Sequence, residues 1–165
     1  MSDRKSALAA EIQQEINQTI KAIDRLPEDR FGWKPHPKSY SLGELATHIS
    51  RLVSWFGVSL TTGELDLALS GTRSPGYESV ASIREEIENN LHKALDALQR
   101  VEDAELDKTW KLKRGEAVIF EMPKHVVIRK MVISHLVHHR GQMTVYMRML
   151  DIPVPGMYGP SADER

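Results

Sequence analysis

Apolar residues recur every three to four positions along four stretches of this chain, with polar residues between them. That is the pattern of a helix with one buried face. The first stretch runs from about Asp3 to Leu26 and carries Leu8, Ile12, Ile16, Ile20 and Ile23. Pro27 ends it, and the segment PEDRFGWKPHPKSY, with three prolines and a glycine, predicts a loop. A second helix opens at Ser41, where SLGE forms a capping box: the Ser41 hydroxyl and the Glu44 carboxylate can each satisfy a free N–H of the first turn. Its apolar side holds Leu42, Leu45, Ile49, Leu52, Val53 and Phe56, and fades near Gly63. LSGTRSPGY reads as a second turn-rich linker, leading to a third helix from about Ser79 to Val101 with Ile83, Ile87, Leu91, Leu95 and Leu98 as its stripe.

TWKLKRGEAVIFEM breaks the period. Runs containing β-branched and aromatic residues flank RGE, which fits a short β-hairpin. Pro123 suits the first turn of a fourth helix, which runs to about Leu150 before Pro153 and Pro155 prevent much continuation. Four long amphipathic helices with one extended excursion before the last predict an all-α fold, a four-helix bundle. The expectation is a single domain spanning residues 1–165. The connections around Phe31 and Gly71 are longer than a minimal up-down bundle needs, and long loops are where sites tend to be built.

Composition narrows the function classes. Hydrophobic residues make up 41% of the chain and charged residues 27%, the balance of a soluble globular protein. A net charge of −1 gives no basic excess to attract nucleic acid or an anionic membrane. No apolar run approaches the roughly 20 residues of a membrane span, and the charged, amphipathic N-terminus does not resemble a signal peptide. The absence of cysteine excludes a disulfide framework, a thiolate metal site and a cysteine nucleophile, and suits a reducing cytoplasm. Any thiol chemistry has to use a thiol from outside the chain.

ISHLVHHRGQ puts three histidines into five residues of an otherwise apolar helix. At roughly 100° per residue, Ile128, Val132, Tyr146, Met149 and Leu150 define one stripe, and His135 and His139 fall within it, about 40° apart. His138 lies at its edge. Imidazoles at i and i+4 project side by side and can share one metal ion; alternatively they are core histidines hydrogen-bonded to neighbours. For a third ligand the other helices offer His48, on the flank of the second stripe and on the same side as Trp55. His36 and His125 read as solvated and His92 as a surface residue. Two ligands from one helix and one from another leave a position open for water or substrate, the arrangement of catalytic zinc sites.

SLGELATHI, followed much later by SHLVHHRGQMTVYMRMLDIPVPGMYGPSADE, resembles the DinB/YfiT-like superfamily of bacterial four-helix-bundle proteins. The resemblance covers most of the chain, including the Trp/Pro loop before the second helix and the Pro-rich tail. It implies that His48, His135 and His139 are the metal ligands, the trio the helical phasing also selects. It further implies a homodimer and a metal-dependent transferase acting on a low-molecular-weight thiol such as bacillithiol, mycothiol or glutathione, or a thiol-dependent isomerase. His138 occupies a position that varies in this family.

A divalent ion on three neutral imidazoles keeps its full charge and acidifies what reaches its open position. A thiol becomes a nucleophile there; water supports a hydrolase instead; a closed site makes a non-catalytic metal-binding bundle. Zn or Ni suits this donor set, as do Fe and Cu. The residues between His135 and His139 include no glutamate, which disfavours a metalloprotease. The catalytic group beyond the ion is open. Glu44, one turn before His48, and Gln142, close to the interior stripe, are candidates, although Glu44 first serves the capping box. Trp33, Trp55 and Phe56 fit either a pocket or the core. Gly141 suggests a close helix approach, and Arg140, pointing off the stripe, a structural ion pair. Val126, Ile133 and Val137 form a second apolar strip suited to core or to an oligomer contact. The open site and the resemblance imply a small-molecule substrate, and the near-neutral charge and lack of a long apolar run leave neither nucleic acid nor membrane as partner.

Overall fold

The computed structural model describes residues 2–69 and 76–164, so most of the linker expected around Gly71 lies outside the described residues. Helix α1 spans Asp3–Ile23, α2 Leu42–Thr61 and α3 Val80–Arg100. Each begins on a serine whose hydroxyl accepts a first-turn N–H. At Ser41 the capping box is complete: Glu44 N donates to Ser41 Oγ at 3.1 Å, and Ser41 N donates to Glu44 Oε2 at 2.7 Å. Helices α1 and α2 both pack against α3 and α5, the last long helix (Ser134–Met149). Their shared core includes Ile12, Ile16, Leu45, Ile49, Phe56 and Ile87, all fully buried, and each such side chain contributes roughly 1.5–3 kcal/mol. On α3 the buried positions are Ile83, Ile87, Asn90, Ala94 and Leu98, while Leu91 and Leu95 are only partly covered.

The fold is mostly helical with a small sheet, which corrects the all-α expectation. The hairpin is present: β2 (Thr109–Arg114) and β3 (Ala117–Pro123) pair antiparallel around Gly115, whose φ of 58° suits glycine. A third strand, β1 (Glu64–Asp66), adds in parallel to β2 and was too short to show a period. Trp110 anchors the sheet. It is fully buried, and its indole N–H donates to Thr62 Oγ1 at 3.0 Å.

The last helix is not one uniform α-helix. A short α4 (Lys124–Val127) runs into a π-helical segment, Ile128–Ile133, before α5 begins. In that segment Ser134 N reaches back five residues to the Arg129 carbonyl. A π turn holds an additional residue, so the buried face changes phase across it. Val127, Ile128 and Val132 are buried on one side of the change and Leu136, His139, Met143 and Met147 on the other. The single-period stripe is corrected accordingly: Met149 is 56% exposed, and Tyr146 and Leu150 are half-buried. Ile133 joins the main core, whereas Val126 and Val137 are only half-buried. Gly141 makes no close helix approach; it is exposed, and a Cβ there would meet nothing within 4 Å. Arg140 does form the structural ion pair, with Nη2 2.6 Å from Glu15 Oε2.

The loop before α2 is tied to its first turn. Leu42 N donates to the Trp33 carbonyl and Gly43 N to the Phe31 carbonyl, both at 2.9 Å. A Cβ on Gly43 would lie 2.9 Å from Phe31 Cβ, an atom close to the backbone that cannot swing aside. Gly43→Ala, worth about 1 kcal/mol in favour of a helix by propensity alone, is therefore expected to cost roughly 1–3 kcal/mol through overpacking. Urea denaturation of both proteins reads the sign directly. Among the described residues, no helix is long and apolar enough to cross a membrane.

Candidate metal centre

Three of the seven histidines come together. His48 projects from α2, and His135 and His139 from successive turns of α5. One potential ligand atom from each lies within 4.8 Å of the others. Across the pair on α5, Nε2 of His135 and Nε2 of His139 are 2.8 Å apart. With metal–nitrogen bonds near 2.0–2.1 Å, tetrahedral ligands stand about 3.3 Å apart, inside the span these atoms cover. The ring of His48 meets those of His135 and His139 edge to face, at centroid separations of 5.4 and 4.6 Å. Its other face is stacked by Tyr40 at 5.5 Å.

The hydrogen bonds test whether an ion fits. His139 Nδ1 lies 2.7 Å from Gln142 Oε1, so it carries its proton there and leaves a lone pair on Nε2. His135 Nε2 must then donate to it, which puts the remaining lone pair of His135 on Nδ1. That atom is buried without a hydrogen bond of good geometry, and its neighbour one turn back, the Met131 carbonyl, has no proton to give. The other tautomer turns an N–H of His135 toward Met131 but sets two lone pairs face to face. A divalent cation held by His135 and His139 would take a lone pair from each and let His135 turn an N–H toward the Met131 carbonyl, so the donor set fits a divalent ion. Burial lowers the pKa of both rings; in His135 the neighbouring His139 adds to this, while in His139 the Gln142 contact opposes it. Both imidazoles are thereby kept neutral, as ligands must be.

Gln142 is exposed, yet it fixes the tautomer of His139. Outer partners of ligating histidines typically contribute 10–100-fold to affinity. Gln142→Leu is expected to weaken Zn binding about tenfold without changing the melting temperature of the metal-free protein; competition against a chromophoric chelator measures it.

Of the three histidines, His139 lines a cleft of about 510 Å³. His139, Gln142 and Tyr146 form its α5 side; Lys34, Lys38 and Tyr40 from the Pro-rich loop face them, with Glu44 beside the loop. Glu44 Oε2 takes both the Ser41 N–H and, at 3.1 Å, the Lys34 ammonium. The Ser41 N–H and Lys34 hold its carboxyl below the usual carboxylate range. It is a fixed anion there, which makes it a poor proton acceptor near neutral pH.

The other histidines stay outside. His138 is exposed, although its ring centroid is 4.9 Å from that of His139. His36 and His92 are exposed. His125 is half-buried rather than solvated, its Nδ1 2.9 Å from the Leu106 carbonyl, because the chain before the hairpin folds over it. Phe56 is core, Trp55 lies between the two hydrophobic clusters, and Trp33 packs edge-on against Tyr146. Tyr40, Lys34 and Lys38 were not singled out by the sequence. The length of their loop was the one signal, and it marked a region rather than residues.

The DinB family model matches residues 1–165. YrdA of Bacillus subtilis (strain 168) is 28% identical over 151 residues, covering 91% of this chain and 85% of that protein. A crystal structure of a DinB-like protein from Bacillus cereus ATCC 10987 superposes with a TM-score of 0.73 at 25% identity, over 93% of this chain and 97% of the other. The DinB-like protein YjoA of Bacillus subtilis has the same fold, with a TM-score of 0.72 at 16% identity, over 94% of this chain and 99% of its own.

Proposed function

This chain belongs to the DinB family, and from that premise we propose that it is a metal-dependent transferase that joins a low-molecular-weight thiol to an electrophilic carbon. The proposed ligands are His48, His135 and His139. Convergence of these imidazoles from two helices, with His139 at the wall of an open cleft, is the observation that carries the reading. When bound, a divalent ion such as Zn or Ni, or Fe or Cu, lowers the pKa of a thiol or water that meets it.

The chain's own residues do the rest. Gln142 holds the His139 tautomer, and Tyr40 backs the His48 ring. In the transfer the thiol sulfur forms the new C–S bond. The leaving group departs with its electron pair, and the thiol proton passes to solvent. A hydrolase in the same cleft would need a proton acceptor for water, and Glu44 is already committed to Ser41 and Lys34; the transferase reading is therefore preferred. A purely structural ion is disfavoured by the open cleft beside His139, since structural sites are closed. The same proposal reads the four long helices as a bundle forming one domain over residues 1–165, in a cytoplasmic homodimer. Val145 and Met149, 57% and 56% exposed on α5, suit contact with a second copy.

The test is elemental analysis of untagged protein, followed by an assay of thiol loss with an alkyl halide. Near one equivalent of metal and chelator-sensitive turnover are expected. Protein that takes up neither Zn nor Ni overturns the proposal.

A further inference from the structure

Tyr40 is the last residue of the proline-rich loop before Ser41, the N-cap of α2. A side chain in that place commonly packs on the fourth helical residue, here Leu45, and any apolar group serves. Tyr40 does more than this. Its ring stacks on that of His48 in α2, with centroids 5.5 Å apart and planes inclined by 28°. It also meets the ring of His139 in α5 edge to face, at 6.5 Å and 70°. His48 and His139 themselves stand 4.6 Å apart at 83°, so each ring of this corner meets the other two.

The loop presents this ring from a fixed position. Leu42 N and Gly43 N donate to the Trp33 and Phe31 carbonyls, Ser41 N donates to Glu44, and Trp33 packs edge-on against Tyr146. Pro35 and Pro37 stiffen the stretch between. His48 is half-buried, and a free imidazole there would keep rotamer freedom that binding an ion must remove. A ligand whose rotamer is already locked by its neighbours escapes that cost. Resting on the reading of the three histidines as a metal centre, we propose that Tyr40 is a positioning residue of that centre. Its ring clamps His48 against His139, so that ligands from two helices are aligned before an ion arrives. The flat aromatic face does this, and the hydroxyl has no part in it.

The experiment compares Tyr40→Phe, which keeps the ring, with Tyr40→Leu, which keeps only an apolar group before the cap. Zn affinity is measured by competition against a chromophoric chelator, and release by the rate of transfer to excess EDTA. Tyr40→Leu is expected to bind Zn about tenfold more weakly and to release it faster, while Tyr40→Phe stays close to wild type. In the metal-free proteins, NMR of the His48 ring protons should show the upfield displacement of a stacked aromatic in wild type and Tyr40→Phe. Tyr40→Leu should lose it. Urea denaturation of the same metal-free proteins should give similar midpoints, because Leu still packs before the cap. Tyr40→Phe that behaves like Tyr40→Leu overturns the proposal. So does an affinity loss in Tyr40→Leu that comes with a large fall in the midpoint and unmoved His48 resonances, since Tyr40 then serves the fold alone. If all three proteins bind and release Zn alike, the clamp falls and the metal reading stands. If wild type takes up no Zn, the metal reading falls and the clamp falls with it.

Discussion

Alanine at position 135 is expected to strip the protein of its metal while leaving it folded. Zinc sites of four ligands bind with roughly 10–16 kcal/mol, so one ligand's share is about 3–4 kcal/mol, more than a hundredfold in affinity. Purified wild type should hold near one equivalent and His135→Ala almost none, with thiol transfer lost in parallel. His135 is half-buried, and its Nδ1 has no good partner to lose, so truncation costs the fold little. The control is His138→Ala. That ring lies 4.9 Å from that of His139 between centroids, nearer than the 5.4 Å between His48 and His135, but it is exposed and outside the cluster. It should keep its metal. A His138→Ala protein that lost its metal while His135→Ala kept it would show that the cluster had been read on the wrong face of α5. Unfolding of His135→Ala would instead favour a structural ion.

The helices were legible because their signals are local: Ser41 and Glu44 cap α2 as their spacing requires, and the buried stripes of α1 and α2 follow a single period. His48, His135 and His139 could be chosen for the same reason, since side chains on one helix have a calculable direction. The π segment at Ile128–Ile133 could not be read this way. It depends on which carbonyls the packed helix leaves free, and a hand-phased stripe assumes that none change. This is why Met149 and Gly141 were assigned to contacts they do not make. Strand β1 is only three residues long and pairs with a strand more than forty positions away, so its partner is a tertiary fact. The lining of the cleft is similar. Lys34, Lys38 and Tyr40 sit on a proline-rich loop that the bonds from Leu42 and Gly43 to Trp33 and Phe31 tie to α2 and that the Trp33–Tyr146 contact sets against α5. Even the first helix, which reads as aliphatic inside, conceals a buried glutamate, Glu15.

That glutamate sets the largest expected stability effect. Arg140 is 2% exposed, and its guanidinium reaches the Glu15 carboxylate at 2.6 Å, the Glu15 carbonyl at 2.9 Å and the Tyr158 hydroxyl at 2.7 Å. The Tyr158 hydroxyl donates to the same carboxylate oxygen at 2.8 Å. Arg140→Met keeps the volume of the stem but leaves a carboxylate in the core with one neutral partner. Breaking a buried pair in this way costs about 3–5 kcal/mol, or roughly 10 °C in melting temperature for a chain of this size. Adding Glu15→Met should recover most of the loss, because the penalty lies in the unpaired charge rather than in the missing attraction. If the double variant instead shows the sum of two independent losses, the pair is not coupled and the account is wrong. The C-terminal segment gives a second readout. It is held by Tyr158 here and by the Arg148–Asp163 and Arg25–Glu164 ion pairs, so Arg140→Met should expose it to limited proteolysis. Metal content should not change. Arg140 adjoins His139 in the sequence, but its guanidinium is engaged with α1 and the tail, so fold and site should fail independently at two neighbouring residues.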